Sequence, residues 1–146
     1  MIKFRRADAE DRDIYLQMAD EFYHSEAVLH DVPHENFENA FAEIMRSDDY
    51  LVCYIFEADG NIAGYALLMK TYSQEAGGVA VWLDELYVKE AYRSKGIGSA
   101  FFEFLQNEHP AARYRLEVEP SNKRAAQLYK RMGYEPLEYV QYVKDR

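Results

Sequence analysis

Cysteine is nearly absent from this chain, which has Cys53 alone among 146 residues. One cysteine cannot close an intrachain disulfide and supplies no metal cluster. His24, His30 and His34 would need a further ligand and tighter spacing to bind zinc, so we expect no metal site. Long apolar runs are absent too, since no stretch approaches the roughly 18–20 residues that a membrane helix needs. Residues 1–6 lack the apolar core of a signal peptide. These absences predict a soluble cytoplasmic protein.

Proline and glycine are scarce and dispersed, with four prolines and seven glycines along the whole chain. We find no low-complexity segment, internal repeat or Pro/Gly/Ser-rich linker that would divide the sequence. Apolar residues make up 49% of the chain, which is enough for one sizeable core. We therefore expect residues 1–146 to form a single domain.

Positive charge is the scarcer sign, with 17 Lys and Arg against 26 Asp and Glu and a net charge of −9. That balance argues against binding to nucleic acid or to an anionic membrane surface. The distribution is uneven: residues 92–131 hold eight Lys and Arg against four Glu, and the remainder has a net charge of −13. A basic region on an acidic protein suits an anionic cofactor and a cationic substrate, although ordinary solvated faces have the same composition.

Apolar periodicity and turn residues predict a mixed α/β sandwich with the order β-α-α-β-β-β-α-β-α-β. Asp59-Gly60 is a hairpin signal, Pro110 ends the third helix, and Gly133 closes the fourth as a left-handed cap. Strands are expected at residues 2–6, 50–56, 62–69, 79–88, 114–118 and 137–143. Helices are expected at residues 8–22, 33–45, 96–108 and 121–132.

The segment 88–100 joins a strand end to a helix start. Such a junction presents unpaired backbone N–H groups and the positive end of a helix dipole, which together bind anions. Gly96 and Gly98 let a phosphate approach the backbone closely, and Arg93 and Lys95 add charged donors. The segment is not a P-loop, because no Gly-Lys-Ser/Thr follows, and it does not match the dinucleotide fingerprint, because phenylalanine stands where the third glycine would fall.

Two motifs resemble the GNAT superfamily of N-acetyltransferases. The first is Arg93-x-x-Gly96-x-Gly98, which follows the apolar strand 83–88 and precedes a helix. The second is similar to the family's Asn-x-x-Ala-x-x-Leu-Tyr-x-x-x-Gly-Phe/Tyr segment. Its matching residues are Asn122, Ala125, Leu128, Tyr129, Gly133 and Tyr134. The two motifs together cover roughly residues 62–143, and the nearest likeness within the family is to polyamine and diamine acetyltransferases.

The resemblance implies one N-acetyltransferase domain over residues 1–146, with acetyl-CoA as co-substrate and no metal. It implies an α/β fold with a mixed, mostly antiparallel twisted sheet of six to seven strands, flanked by about four helices. The pyrophosphate would lie against the N–H groups of the loop, and the pantetheine arm would bond to the central strand like an added strand. A gap between the central strand and the next strand, residues 116–119, would hold the thioester. The residues implied to bind the co-substrate are Leu86, Tyr87, Val88, Arg93, Ser94, Lys95, Gly96, Ile97, Gly98, Ser99, Asn122 and Tyr129.

Tyr129 matches the tyrosine with which the family hydrogen-bonds or protonates the departing sulfur. A phenol suits this task because it keeps its proton at neutral pH. The alternative is that Tyr129 only packs on the apolar face of its helix. Asn122 is either a helix cap or a contact to CoA, and the two roles are compatible. The resemblance also implies that the backbone N–H of Leu86 or Val88 stabilises the thioester oxygen.

The base is open among four carboxylates. An alkylamine is mostly protonated at pH 7, so a base or a water relay is useful. Asp84 and Glu85 are adjacent on the central strand, so strict alternation places them on opposite faces and lets only one reach the cleft. Asp84 matches in position the glutamate of polyamine acetyltransferase-like members, and its shorter side chain favours a water relay. We therefore rank Asp84 ahead of Glu85, with Glu117 and Glu119 as further candidates.

The expected function is transfer of an acetyl group from acetyl-CoA to a primary amine of a small cationic substrate, by direct attack in a ternary complex. Two alternatives stay open: a non-catalytic acetyl-CoA-binding sensor or docking module, and acetylation of a protein N-terminus or lysine. Residues 20–33 and 71–78 are the expected acceptor-binding region and match no motif. Homodimers are common in the family, and residues 137–143 offer a pairing edge, but the sequence leaves the oligomeric state open.

Overall fold

The computed structural model describes residues 1–26, 28 and 30–146. Ala27 and Leu29, which belong to the segment expected to bind the acceptor, lie outside the described residues. The helices and strands are β1 (Ile2–Arg6), α1 (Arg12–Tyr23), α2 (His34–Arg46), β2 (Leu51–Ala58), β3 (Asn61–Ser73), β4 (Gly78–Val88), α3 (Ile97–Glu108), β5 (Arg113–Leu116) and α4 (Lys123–Arg131). None of the described helices is long and apolar enough to cross a lipid bilayer.

The strands form one sheet in the order β1-β2-β3-β4-β5. Neighbours from β1 to β4 pair antiparallel, and β4 pairs with β5 in parallel because α3 carries the chain back between them. The α/β class and the mixed, mostly antiparallel sheet are therefore confirmed. Asp59 and Gly60 make the predicted hairpin turn, with φ values of 51° and 83° that fit a tight turn between twisted strands.

The predicted strand at residues 137–143, and with it the count of six to seven strands, is wrong. The sheet has five strands in the described part of the chain, and 137–143 runs beside it without a backbone ladder. The alternating apolar residues favour a strand, but strand propensity reflects the fit to a half-buried sheet surface rather than a backbone preference. Here Tyr142 is 94% exposed. Two side-chain bonds hold the segment instead. The Tyr139 hydroxyl donates to Glu75 at 2.7 Å, and the Gln141 amide donates to Glu117 at 2.7 Å.

Apolar side chains are buried on both faces of the sheet. Alternate residues of a strand point to opposite faces, so Cys53 and Ile55 of β2 face α1 and α2, whereas Val52 and Phe56 face α3. The α3 side chains that cover this second face are Phe101, Phe102 and Leu105. Burial on both faces explains why β2 has a nearly continuous apolar sequence.

The start of α1 is fixed to β1 by a capped turn. The Asp8 side chain accepts the Glu10 N–H at 2.9 Å, and the Asp11 carboxylate accepts the Asp8 N–H at 2.8 Å. Asp8 is thus the predicted cap, although it caps a short 3-10 turn, Ala9–Asp11, that leads into α1. The Arg5 guanidinium donates to Asp11 at 2.7 and 2.9 Å, which joins this turn to the first strand.

Candidate active site

The strands β4 and β5 pair over a short ladder and then separate. Their last paired residues are Leu83 and Leu116, so no strand in the described residues pairs with that edge of β4 over residues 84–88. This is the gap expected between the central strand and residues 116–119. A strand edge without a partner presents backbone N–H and C=O groups to which a ligand can bind as an added strand.

The backbone alternation of β4 determines which groups face this open edge. The Lys89 N–H donates to the Ala63 carbonyl at 2.8 Å, and antiparallel strands exchange hydrogen bonds at every second residue pair. Tyr87 therefore bonds to β3, whereas the N–H groups of Leu86 and Val88 point towards the open edge. These are the two N–H groups that the family resemblance implies at the thioester.

The loop after β4 turns sharply into α3. Ser94 and Gly96 have φ values of 61° and 81°, in the left-handed region that glycine adopts without a steric penalty. Gly96 immediately precedes the helix, and no side chain of the described residues caps α3 there. The N–H groups of Ile97, Gly98 and Ser99 lack partners within the helix, and the positive end of the helix dipole adds to them. This arrangement is suited to binding an anion.

A cavity of about 560 Å³ lies over this loop and the open edge of β4. It brings together eleven of the twelve residues expected to bind the co-substrate. These are Leu86, Tyr87, Val88, Arg93, Ser94, Gly96, Ile97, Gly98, Ser99, Asn122 and Tyr129. The twelfth, Lys95, does not line the cavity, and its ammonium lies 5.7 Å from the centre of the Tyr92 ring.

Part of the cavity wall was missed by sequence reasoning. Arg124 and Arg131 of α4 line the cavity, and the Arg124 guanidinium donates to the Ser94 hydroxyl. Both arginines belong to the basic region 92–131, and their spacing of seven residues places them on one face of the helix. The sequence could therefore have indicated that they lie on the same surface. Phe22 of α1 also lines the cavity. No sequence pattern connects it with the loop, because the two meet only through the tertiary fold.

Close contact with α3 positions α4. A Cβ atom at Gly98 would lie 3.4 Å from the Leu128 side chain, so glycine permits the two helices to approach. The Asn122 side chain accepts the Ala125 N–H at 3.4 Å and also lines the cavity, which makes its two expected roles compatible. The residue after Leu128 is Tyr129, which the contact places at the cavity wall.

Tyr129 borders two cavities. Besides the first, it lines a second of about 870 Å³ whose wall includes Trp82, Arg115 and Glu117. Its ring packs against Phe102 with centroids 5.8 Å apart, so it does contribute to packing. Burial raises the pKa of Tyr129, and no group in the described residues hydrogen-bonds its hydroxyl. A protonated phenol at the junction of two cavities is suited to donate to a leaving group.

The alternation expected at Asp84 and Glu85 does not hold. β3 pairs two consecutive residues with Leu83 and Glu85, so Asp84 is a β-bulge without a cross-strand partner. As a result Leu83 and Leu86, three positions apart, both belong to the apolar layer beneath α3. Asp84 and Glu85 both interact electrostatically with Tyr23 of α1. The inference that adjacent residues must face opposite sides is therefore wrong at this position.

Glu85 is a buried carboxylate, 6% exposed, whose two oxygens each accept a phenol hydroxyl. Tyr23 of α1 donates to Oε2 at 2.5 Å, and Tyr65 of β3 donates to Oε1 at 2.6 Å. Burial raises the pKa of Glu85, and the charge of Asp84 adds to the rise while the two hydrogen bonds oppose it. Sequence reasoning missed the contribution of Tyr65, which no motif links to β4.

The other carboxylate candidates separate into two groups. Asp84 and Glu117 follow the last paired residues of β4 and β5, at the mouth of the gap. Asp84 is exposed, but the surrounding protein desolvates it enough to raise its pKa, and Glu117 raises it further. Glu119 instead accepts the Ser121 N–H at 2.8 Å and so stabilises the turn before α4.

In the part of the chain that the structure describes, no group of three His, Cys, Asp or Glu side chains could hold a metal ion.

The chain matches the model of a family described as "Acetyltransferase (GNAT) family" over residues 13–134. That range includes β4, the loop, α3 and α4. The fold also resembles an aminoglycoside N-acetyltransferase solved with a CoA-based bisubstrate analogue, with a TM-score of 0.81 over 100% of this chain and 99% of that chain. The sequence identity of that pair is 17%, so the likeness concerns the fold.

Curated relatives differ in the amine that their names specify. The chain is 29% identical over 83 residues to a spermine/spermidine N(1)-acetyltransferase of Bacillus subtilis (strain 168). This alignment covers 53% of this chain and 55% of that enzyme. It is 31% identical over 140 residues to a putative ribosomal protein bS18-alanine N-acetyltransferase of the same organism. That alignment covers 86% of this chain and 80% of that protein. The chain spans between 55% and 65% of the length of the first curated relatives that it matches.

Proposed function

The chain belongs to the acetyltransferase (GNAT) family, and from that premise we propose that it transfers an acetyl group from acetyl-CoA to a primary amine of a small cationic substrate. The amine attacks directly while both substrates are bound. One observation carries the proposal: a single cavity runs from the open edge of β4, over the uncapped start of α3, to Tyr129. Polyamines and diamines are the acceptor class that we favour.

The start of α3 holds the diphosphate. The N–H groups of Ile97, Gly98 and Ser99 and the positive helix end attract a negative ligand. Three arginines surround the same cavity, and their guanidinium groups add charge-assisted donors. They are Arg93, Arg124 and Arg131. A local positive site is needed here because the molecule as a whole has a charge of −9 and repels anions at longer range.

The open edge of β4 positions the acyl donor and stabilises charge. The N–H groups of Leu86 and Val88 donate hydrogen bonds to the acyl donor, whose pantetheine arm lies along the strand edge. One of the two donates to the thioester oxygen as that oxygen gains negative charge. Both groups are held in place by the ladder between β3 and β4. Donors that are already oriented do not have to reorganise during the reaction, which is why such sites lower barriers.

Tyr129 protonates the departing sulfur. When bound, acetyl-CoA supplies an activated acyl group and a thiolate leaving group. The Tyr129 hydroxyl keeps its proton at neutral pH because burial raises its pKa. No described group competes for that proton, so it is available to the leaving atom. Hydrogen bonds to charged acceptors are roughly twice as strong as neutral ones, so the phenol favours the thiolate over the thioester.

Carboxylates around the gap favour a cationic acceptor. Asp84 and Glu117 stand at its mouth, and Glu85 lies behind it. Several negative charges around one opening concentrate cations there. An acceptor with two or more ammonium groups gains from more than one of them. The spermine/spermidine relative is consistent with that choice.

The test is thiol release from acetyl-CoA by the purified protein across a panel of amines, with calorimetry for CoA alongside. We expect acetyl-CoA-dependent turnover with diamines and spermidine, and none with their fully acetylated forms. Binding of CoA without thiol release from any amine would contradict the proposal and would favour the sensor or docking module.

A protein N-terminus is the second candidate acceptor. It is favoured by one observation, the likeness over 86% of this chain to the putative bS18-alanine N-acetyltransferase. The same panel should therefore include short peptides that begin with alanine. A kcat/KM higher for these peptides than for any diamine would replace the small-molecule acceptor with a protein one.

A further inference from the structure

A hydrogen-bonded chain of side chains leads from helix α1 to the inside of β4 beside the gap. Glu85 stands between the bulged Asp84 and Leu86, whose N–H faces the open edge. Glu85 is 6% exposed, and its carboxylate is bonded by Tyr23 and Tyr65. An acceptor amine therefore does not reach the carboxylate directly. Any proton that enters it passes through a neighbour.

The two phenols differ in their access to solvent. Tyr65 is 0% exposed and lies inside the layer beneath α1 and α2. Tyr23 is only partly buried, at the last residue of α1. The rings of Phe22 and Phe37 lie 5.2 and 5.1 Å from the Tyr23 ring and hold it, while its hydroxyl bonds to Glu85 Oε2 at 2.5 Å. Of the two phenols that bond Glu85, Tyr23 is therefore the one with solvent-exposed surface.

The surroundings of Glu85 leave its negative charge uncompensated. The titratable groups that act on Glu85 or respond to its charge lie on α1, β2, β3 and β4. They are Tyr15 and Tyr23 of α1, Cys53 of β2, Tyr65 of β3 and Asp84 of β4. None of these is a cation. A buried carboxylate that only phenols stabilise gains from taking a proton, which is the property that a base requires.

We infer that Tyr23 and Glu85 form a proton relay that deprotonates the acceptor amine, with the Tyr23 hydroxyl as the group that contacts the amine. The inference rests on the proposed acetyl transfer. An ammonium proton passes to the Tyr23 oxygen as the Tyr23 proton passes to Glu85 Oε2. The freed nitrogen lone pair forms the C–N bond, the C–S bond breaks, and the sulfur takes the Tyr129 proton. The acylated nitrogen then gives up its second proton to solvent, and Tyr129 regains a proton from solvent. Glu85 later returns its proton to solvent through Tyr23.

The relay gives the two adjacent carboxylates different tasks. Asp84 is exposed and lies near Glu117, so it holds the positive charge of the acceptor at the mouth of the gap. Glu85 is buried and takes the proton. Asp84→Asn is then expected to raise the KM for a diamine more than it lowers kcat. Glu85→Gln is expected to lower kcat with little change in KM.

The decisive variant is Tyr23→Phe, which removes the hydroxyl and keeps the ring packing. At pH 7 we expect kcat with an alkylamine to fall by about 10²-fold or more, as for loss of general base catalysis. The loss should shrink as the pH rises towards the pKa of the amine, near 10.4, because the amine then arrives neutral. It should also vanish at pH 7 with a fluorinated alkylamine that is neutral there. Tyr15→Phe removes another α1 phenol close to Glu85 and should leave kcat unchanged.

Tyr65→Phe separates the relay from its support. It removes a hydrogen bond that lowers the pKa of Glu85, so the acid limb of the pH–kcat profile should move to higher pH. The plateau should stay much nearer to that of the unaltered protein than in Tyr23→Phe, since the route through Tyr23 is intact.

The outcomes separate the relay from the function on which it rests. If the unaltered protein acetylates no amine, the proposed function fails. If it is active and Tyr23→Phe has the same pH–kcat profile, the relay is wrong. A loss in Tyr23→Phe that neither high pH nor the neutral amine restores shows a structural role and also overturns it. Should Tyr23→Phe not fold, Glu85→Gln must show the same dependence on pH and on amine pKa, and its absence contradicts the relay.

Discussion

At the scale of single residues, buried phenols determine how protons are held in this molecule. Burial raises the pKa of Tyr129, Tyr23 and Tyr65, so each stays protonated over the range in which the protein would act. Their surroundings differ, because Tyr23 and Tyr65 donate to a carboxylate whereas the Tyr129 hydroxyl has no partner in the described residues. A hydroxyl without a partner can donate to a ligand, which is the role proposed for Tyr129, whereas the proposed roles of the two bonded hydroxyls are support and relay.

Tyr129→Phe should lower kcat by about 10²-fold, because the thiolate then leaves without a proton donor. Calorimetry should find the affinity for CoA unchanged, since the ring and its contact with Phe102 remain. Equal turnover of both proteins would remove Tyr129 from the mechanism and leave it a packing residue.

Asp11→Asn should lower the free energy of unfolding at pH 7 by about 1–3 kcal/mol, because it removes the charged acceptor of two bonds from Arg5. The Arg5 guanidinium holds the pKa of Asp11 below its ordinary value of 3.8. The stabilisation is therefore complete above that value and is lost as the pH falls through the lower folded-state pKa. Urea unfolding from pH 7 down to pH 2 should show the two proteins converging in acid. A constant difference over that range would contradict the assignment.

Sequence reasoning located the residues that belong to a contiguous motif. The loop 93–99, Asn122 and Tyr129 could be expected because backbone conformation and helix spacing place them locally. Arg124 and Phe22 could not, since a cavity wall assembled from three elements has no period in the sequence. The roles of the loop and of Tyr129 remain predictions until they are measured.

At the scale of elements, β4 differs in its two edges. One edge is fixed by the ladder to β3, and the other opens after Leu83. The bulge at Asp84 lies at the opening and changes the phase of the side chains there. Sequence patterns predicted the strand but not the bulge, because period-two alternation is the rule that a bulge breaks.

Gly64→Ala should disturb both stability and ligand binding. A Cβ atom at Gly64 would lie 2.1 Å from the Tyr87 carbonyl oxygen and 3.0 Å from Val88 Cα, so β4 must shift. We expect a loss of at least about 1–3 kcal/mol and weaker binding of CoA. Gly60→Ala is the matched control, with a φ of 83° and open space around it. It should cost roughly 1–2 kcal/mol of backbone strain and leave CoA affinity unchanged. Equal CoA affinity in the Gly64 variant would contradict the close packing of β3 on β4.

At the scale of the whole molecule, positive charge is concentrated at one place in an acidic protein. Three arginines of the segment 92–131 line the cavity at α3, and the chain as a whole has a net charge of −9. The uneven distribution is visible in the sequence, but which residues share a surface is decided by the fold. The apolar pattern of residues 137–143 shows the same limit, since it predicts a strand and the described sheet has no partner ladder for it.

Raising the salt concentration should weaken binding of both substrates. The Debye length is about 10 Å at 0.1 M and about 3 Å at 1 M, so added salt screens the arginines and the carboxylates alike. We expect the KM values for acetyl-CoA and for a diamine to rise, and the KM for an amine that is neutral at the assay pH to stay constant. A diamine KM that does not depend on salt would contradict electrostatic selection of the acceptor.

Because of the bulge, β4 consists of two segments that each pair regularly with β3, with Asp84 as one extra residue between them. Removing a residue from inside a sheet ordinarily turns every following side chain to the wrong layer. Leu83 and Glu85 already pair with consecutive residues of β3. Deleting Asp84 would therefore leave an uninterrupted ladder and keep the apolar side chains of β4 in their layers. The ladder with β3 does not require this residue, which stands where the ladder with β5 has ended and the gap begins.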